Sequence, residues 1–159
     1  MRPDEEVSRA IEQYADTVRR ICFLHLKNHA DTEDIFQTVF LKYALFTDPF
    51  EDERHEKAWL IRVTINACND LLRRLLRHPS VPLELLAEEA ASVSPEQNTV
   101  LSAVLSLPKK YKDAIYLHYY EGYTAAEIAA ILHTRENTVY SLLSRGRAML
   151  KEELGGEDV

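Results

Sequence analysis

The chain has 159 residues, 46% of them hydrophobic and 28% charged, with four glycines and six prolines. That balance supports a packed core and excludes collagen-like, low-complexity and wholly disordered classes. The formal net charge of −7 stands, at face value, against nucleic-acid binding, which usually goes with a basic excess. No apolar run approaches the roughly 18 residues of a membrane span, and the charged start MRPDEEVSRA has no signal-like apolar stretch. Two cysteines, Cys22 and Cys68, are too few for a disulfide framework or a zinc ribbon, so a reducing, cytoplasmic setting is expected.

The charge is unevenly spread. Residues 1–30 are neutral, 31–56 carry −6, 57–78 carry +4, 79–98 carry −4, 99–151 carry +3 and 152–159 carry −4. The average therefore hides two basic segments among acidic ones, each a candidate anion-binding surface.

In chain order, Val7, Ile11, Tyr14, Val18 and Ile21 recur at spacings of three and four and predict a first amphipathic helix. Asp31 predicts the N-cap of a second helix, with acids in its first turn and Ile35, Val39, Phe40 and Tyr43 along it. Pro49 stops it, because proline disfavours helix at the residue before it. A polar loop from Asp48 to Glu56 leads to a third helix from about Lys57 to Leu76, ended by His78-Pro79. One face of that helix collects Arg62, Asn66, Asn69, Arg73 and Arg77, with Trp59 at its start, and Leu60, Ala67, Leu71 and Leu75 lie opposite. Such a face can track a phosphate backbone and stack an unpaired base. An amphipathic helix with Trp59 in the core fits the same pattern. Arg74 falls at the boundary and is expected to snorkel. Residues 79–98 hold three prolines and no base and read mainly as an acidic linker, with Leu83, Leu85 and Leu86 able to dock.

A second helical block follows from Thr99. Leu107-Pro108 and Glu121-Gly122 break it, and Thr124-Ala-Ala-Glu127 predicts a capping box. TAAEIAAIL, a four-residue break and NTVYSLLSRGRAML give the layout of a helix-turn-helix. On the last helix Val139, Leu143, Gly146 and Leu150 form one packed stripe, whereas Asn137, Ser141, Ser144 and Arg145 face outward near its N-terminus. That is where a recognition helix meets base edges: Arg pairs with guanine, Asn with adenine, and Ser permits close approach. Thr124 and nearby amides can hold a phosphate. A solvated polar face on a structural hairpin is the alternative. The fold class expected is all-α: two small helical domains joined by an acidic linker.

Together these segments resemble the extracytoplasmic-function (ECF) sigma factors, the smallest class of the sigma-70 family. DTEDIFQTVFLKYALF (31–46) and KAWLIRVTINACNDLLRR (57–74) resemble region 2, and LSLPKKYKDAIYLHYYEGYTAAEIAAIL (105–132) with TVYSLLSRGRAML (138–150) resembles region 4. The resemblance implies a sigma-2-like domain over 1–78, a linker over 79–98 threading toward the RNA exit path, and a sigma-4-like domain with an acidic tail over 99–159. It implies core RNA polymerase binding through Asp31, Glu33, Asp34, Gln37, Phe40 and Leu41. It implies −10 recognition and melting through Trp59, Arg62, Asn66, Asn69, Arg73 and Arg77 with the preceding loop. It implies −35 recognition through Thr124, Arg135, Asn137, Thr138, Tyr140, Ser141, Ser144 and Arg145, with an apolar surface docking the polymerase flap. Core RNA polymerase and promoter DNA are the implied partners, and an anti-sigma factor is a common third.

Tyr140 and Leu142 depart from the family, which usually carries basic residues there, and His133 stands where glycine often closes the turn, so it must adopt a left-handed backbone. The departures leave two alternatives: a sigma-like adapter or decoy that binds a regulator without DNA, and a stand-alone helix-turn-helix regulator. No cofactor, metal site or catalytic residue is expected. His25 and His29, spaced i, i+4, lack a third ligand, and Cys22 and Cys68 are expected to be buried.

Overall fold

In a computed structural model, residues 1–77 and 99–155 are described. Every regular element among them is helical, and the chain divides into two compact units, 1–92 and 93–159. The division falls inside the segment read as a linker. Residues 78–98, including Leu83, Leu85 and Leu86, lie outside the described residues, as do 156–159 of the acidic tail.

The first unit holds α1 (Asp4–Leu26), α2 (His29–Leu45) and α3 (Glu53–Arg77), each packed against the other two. Pro3 precedes α1, and Asp4, Glu5 and Glu6 occupy its first turn, where the helix dipole favours acids. Lys27 ends it in a left-handed conformation at φ 59°. That reversal places Asn28 as the cap of α2, its side chain accepting from the Asp31 amide at 2.8 Å. The N-cap is thus Asn28, and Asp31 is a first-turn acid. The same break puts His25 at the end of α1 and His29 at the start of α2, so the two histidines do not share a helix. Helix α3 starts four residues before the expected Lys57, because Asp52 Oδ1 accepts from the His55 amide at 2.8 Å and caps it. The core joins Tyr14, Val18 and Cys22 of α1, Val39 and Tyr43 of α2, and Leu60 and Cys68 of α3. Both cysteines are fully buried.

The second unit holds α4 (Thr99–Ser106), α5 (Lys109–Ile115), α6 (Ala125–Leu132) and α7 (Glu136–Glu153). Helix α5 runs on into a π-helical turn, Tyr116–Tyr120, that the sequence periodicity does not announce. Gly122, at φ 75°, then reverses the chain, and Tyr123 is buried with its amide donating to the Leu117 carbonyl. The capping box at Thr124 is complete: the Glu127 amide donates to Thr124 Oγ1 at 3.2 Å and the Thr124 amide to Glu127 Oε1 at 3.0 Å. His133 adopts the left-handed conformation that the turn demands, φ 53° and ψ 51°. Helix α7 packs on α5 and α6 through Val139, Leu143, Gly146 and Leu150, all buried. Gly146 is required by proximity: a Cβ there would sit 2.8 Å from Ile115 Cγ1.

Candidate nucleic-acid interface

On α7 all of Arg135, Asn137, Thr138, Tyr140, Ser141, Ser144 and Arg145 are exposed, as is Thr124 at the head of α6. The apolar stripe and the tight Gly146–Ile115 approach fix the helix, so these side chains project from a rigid support. Arg135 stands at the N-cap position without a side-chain cap bond, so the first-turn amides of α7 also open outward. The Thr124 oxygen accepts the cap bond, which leaves its own O–H to donate to a phosphate. Tyr140 is 57% exposed, with its hydroxyl 3.4 Å from Glu136 Oε1. Leu142 is half-buried, which gives the departure at that position a packing role. Sequence reasoning passed over a neighbouring pair: exposed Arg147 donates to the hydroxyl of exposed Tyr119 at 2.8 Å.

In the first unit, Asn66, Arg73 and Arg77 are exposed on α3, and Arg62 and Asn69 are half-buried. Arg74 is exposed. Arg73 pairs with Asp70 at 3.3 Å, both well exposed. An exposed pair of this kind holds weakly, so the guanidinium can exchange its carboxylate for a phosphate. Trp59 takes neither extreme of the sequence reading. It is half-buried, stacked on Phe46 at 4.7 Å between centroids and within reach of Phe50 and Tyr43.

The loop between α2 and α3 (residues 46–52) closes over this aromatic cluster and is tied from behind. Arg2 donates to the Tyr43 carbonyl at 3.2 Å, to the Asp48 carbonyl at 2.7 Å and to Glu6 at 2.8 Å. Beneath lies buried Glu56. Arg9 grips it in bidentate fashion at 3.0 and 2.9 Å, and the Tyr43 hydroxyl donates to it at 2.8 Å. Burial alone would push the Glu56 carboxyl up, but the hydrogen bonds from Arg9 and Tyr43, with the Tyr14 hydroxyl nearby, outweigh burial and hold it below the usual carboxylate range. Burial, then the bond to Glu56, pushes the Tyr43 phenol up to about 12. A polar cleft of about 490 Å³ opens beside the loop, lined by Arg2, Arg9, Thr47, Phe50 and Glu56 among others. Arg2, Arg9 and Glu56 did not emerge from the sequence as site residues, because the contacts that tie them across the fold span 13 to 47 positions.

Helix α2 presents Asp34, Gln37 and Leu41 outward. Leu45, four residues on from Leu41, is 61% exposed and extends that face. Asp31 and Glu33 are half-buried and engaged, Asp31 with the Asn28 amide group at 2.8 Å and Glu33 with Arg19 at 3.1 Å. Phe40 is a correction. It is only 5% exposed and lies in the core beside Phe36, so it backs the α2 face from within and is not part of its surface. Its position four residues after Phe36 and next to inward Val39 puts it at the edge of the buried stripe. Among the described residues no group of three or more His, Cys, Asp or Glu side chains could hold a metal ion, and no helix is long and apolar enough to cross a membrane.

Residues 10–78 match the sigma-70 region 2 family and residues 97–150 the sigma-70 region 4 family. ECF RNA polymerase sigma factor SigM of Mycobacterium tuberculosis is 32% identical over 87% of this chain and 71% of its own length. SigW of Bacillus subtilis, also an ECF RNA polymerase sigma factor, is 29% identical over 91% of this chain and 86% of its own. The fold is shared with the sigma factor RpoE of Bartonella quintana, solved in complex with the anti-sigma factor NepR, at a TM-score of 0.78, 22% identity and coverage of 97% of this chain and 99% of that one. With regions 2 and 4 both present, in that order and over most of its length, the chain belongs to the ECF sigma factors of the sigma-70 family, which are non-enzymatic transcription initiation factors.

Proposed function

We propose that this chain binds core RNA polymerase in the cytoplasm and directs it to promoters, contributing binding energy and no bond chemistry. The observation that carries the reading is the exposed set Asn137, Ser141, Ser144 and Arg145 on a rigidly packed helix after a capped turn. That arrangement suits major-groove readout of the −35 element, with Thr124, Arg135, Thr138 and Tyr140 as flanking contacts. Residues 99–159 act as the −35 domain and 1–78 as the −10 and polymerase domain, with 79–98 between them. In the −10 domain, loop 46–52, half-buried Trp59 and the Arg62, Asn66, Asn69, Arg73 and Arg77 face of α3 capture the unpaired non-template strand, through stacking and phosphate contact. The outward side of α2, with Asp34, Gln37, Leu41 and Leu45, meets the polymerase clamp, while Asp31 and Glu33 support it. An anti-sigma factor is the expected regulator, as in the solved complex of the structural relative.

Transcription in vitro with core polymerase tests the reading. Core-dependent initiation at a selected promoter is the expected result. Duplex binding with no need of core would indicate a stand-alone regulator. Failure of both, with tight binding of an anti-sigma partner, would indicate a decoy, the reading that Tyr140 and Leu142 motivate.

A further inference from the structure

Arg2 is charged, is the second residue of the sequence and is only 8% exposed. A guanidinium is left in such a place only where its donors are used. Here they diverge in three directions, to the Tyr43 carbonyl, the Glu6 carboxylate and the Asp48 carbonyl. Its plane also lies 4.8 Å from the Tyr43 ring centroid and 4.9 Å from that of Phe50, and its own amide donates to the Ala44 carbonyl at 2.8 Å. Tyr43 and Ala44 sit in the last turn of α2, where carbonyl groups lack helical partners. Asp48 and Phe50 belong to the loop that follows. One side chain thus closes the end of α2, fixes the path of the loop backbone and backs the aromatic cluster that holds Trp59.

We propose that Arg2 is a positioning residue for loop 46–52, setting the shape of the cleft that takes an unpaired base of the −10 element. This rests on the assignment of that loop to −10 capture given above. Lysine cannot replace it, because an ammonium is a point charge without the planar fork that reaches several fixed acceptors.

The test uses the full chain in holoenzyme and a single-stranded non-template oligonucleotide carrying the −10 element of a promoter selected by that holoenzyme. Trp59 is the only tryptophan of this chain, and it stacks on Phe46 of the same loop, so its emission in the free chain reports the loop's state. Arg2→Met keeps the stem and removes the fork. It is expected to weaken strand binding about tenfold, the scale of one lost charge-assisted hydrogen bond, to shift Trp59 emission, and to leave affinity for core and for −35 duplex unchanged. Arg2→Lys, which keeps the buried charge, carries the same expectation and decides the matter if Arg2→Met lowers helicity. Thr47→Ala and Asp48→Ala probe the loop assignment separately. If they weaken strand binding while both Arg2 variants do not, the role of Arg2 falls and the loop assignment stands. If no variant changes strand binding, the loop assignment falls and takes the role of Arg2 with it. A fall in core affinity parallel to that in strand affinity makes Arg2 a general stability residue and overturns the positioning role.

Discussion

The outward face of α7 stands on apolar packing, whereas the loop beside α3 stands on buried charge. Val139, Leu143 and Leu150 anchor α7, and Gly146 lets Ile115 come within a distance that no Cβ would allow. The loop at 46–52 is held by Arg2, and the helix ends around it by the Arg9–Glu56–Tyr43 network. The difference suits the two tasks proposed for them. Reading base edges in an intact groove needs a helix set at one angle, which close packing provides without desolvating charge. Capturing a strand with an irregular loop needs backbone carbonyls held in place, and a buried guanidinium does that at long reach. The first face should therefore be sensitive to volume and indifferent to pH, the second the reverse.

The largest expected effect tests the volume half of the contrast. Gly146→Leu should destabilise the second unit by about 3 kcal/mol, the upper range for overpacking a core, because its Cβ alone would meet Ile115 Cγ1 at 2.8 Å. Chemical denaturation followed by helical circular dichroism measures it. A stability loss as small as that of a surface change would show that α7 is not held by close packing.

Next comes the charge half. Glu56→Gln should cost the first unit about 2 kcal/mol at neutral pH, the scale of hydrogen bonds to a charged group. Glu56 has its folded-state pKa held below 4.5, so its contribution is fully present above the unfolded value. It fades as pH falls through the folded one. Wild type and variant should therefore converge on acidification below pH 4.5, and a constant gap down to low pH would remove Glu56 as the titrating support. Gly146→Leu should show no such convergence.

These supports were unequally legible in the sequence. The capping box at Thr124, the break at Gly122 and the left-handed His133 were readable because cap and turn chemistry is local, decided within four or five residues. The stripe on α7 was readable because it repeats at helical spacing. Asn28 was missed as a cap because Asp31 offers the same chemistry, and only the left-handed turn at Lys27 selects between them. Phe40 was read both among the apolar residues along α2 and, through the resemblance, as a polymerase contact, and it is buried. The Glu56 network had no sequence signal at all: Arg9, Tyr43 and Glu56 meet only once three helices have packed. Local chemistry thus exposed the outward face of α7, and long-range chemistry concealed what supports loop 46–52.

A smaller effect asks whether the rigid face reads sequence. Arg145→Ala should lower holoenzyme affinity for its −35 duplex about tenfold, within the range of one bidentate base contact, and leave core binding unchanged. The loss should shrink on duplexes mutated at one base pair, the one that Arg145 reads. Equal loss on every sequence would make Arg145 a phosphate contact instead, and α7 a positioning helix.

The smallest effect concerns Arg73 on α3, whose pairing with Asp70 is exposed on both sides. Removing it should barely change folding, since exposed pairs contribute little. If the guanidinium moves from Asp70 to a phosphate when the strand is captured, it releases about one counterion. Arg73→Ala should then lower the slope of log affinity against log salt by about 0.7 for the single-stranded −10 oligonucleotide, with the same decrement for any base sequence. Asp70→Asn should act in the opposite direction, by freeing the arginine beforehand. The net −7 of the chain gives these two variants their interest. In a chain with an acidic excess, attraction for a phosphate has to come from local arginines such as Arg73, and an unchanged slope in both variants would mean that the α3 face lies off the path of the strand.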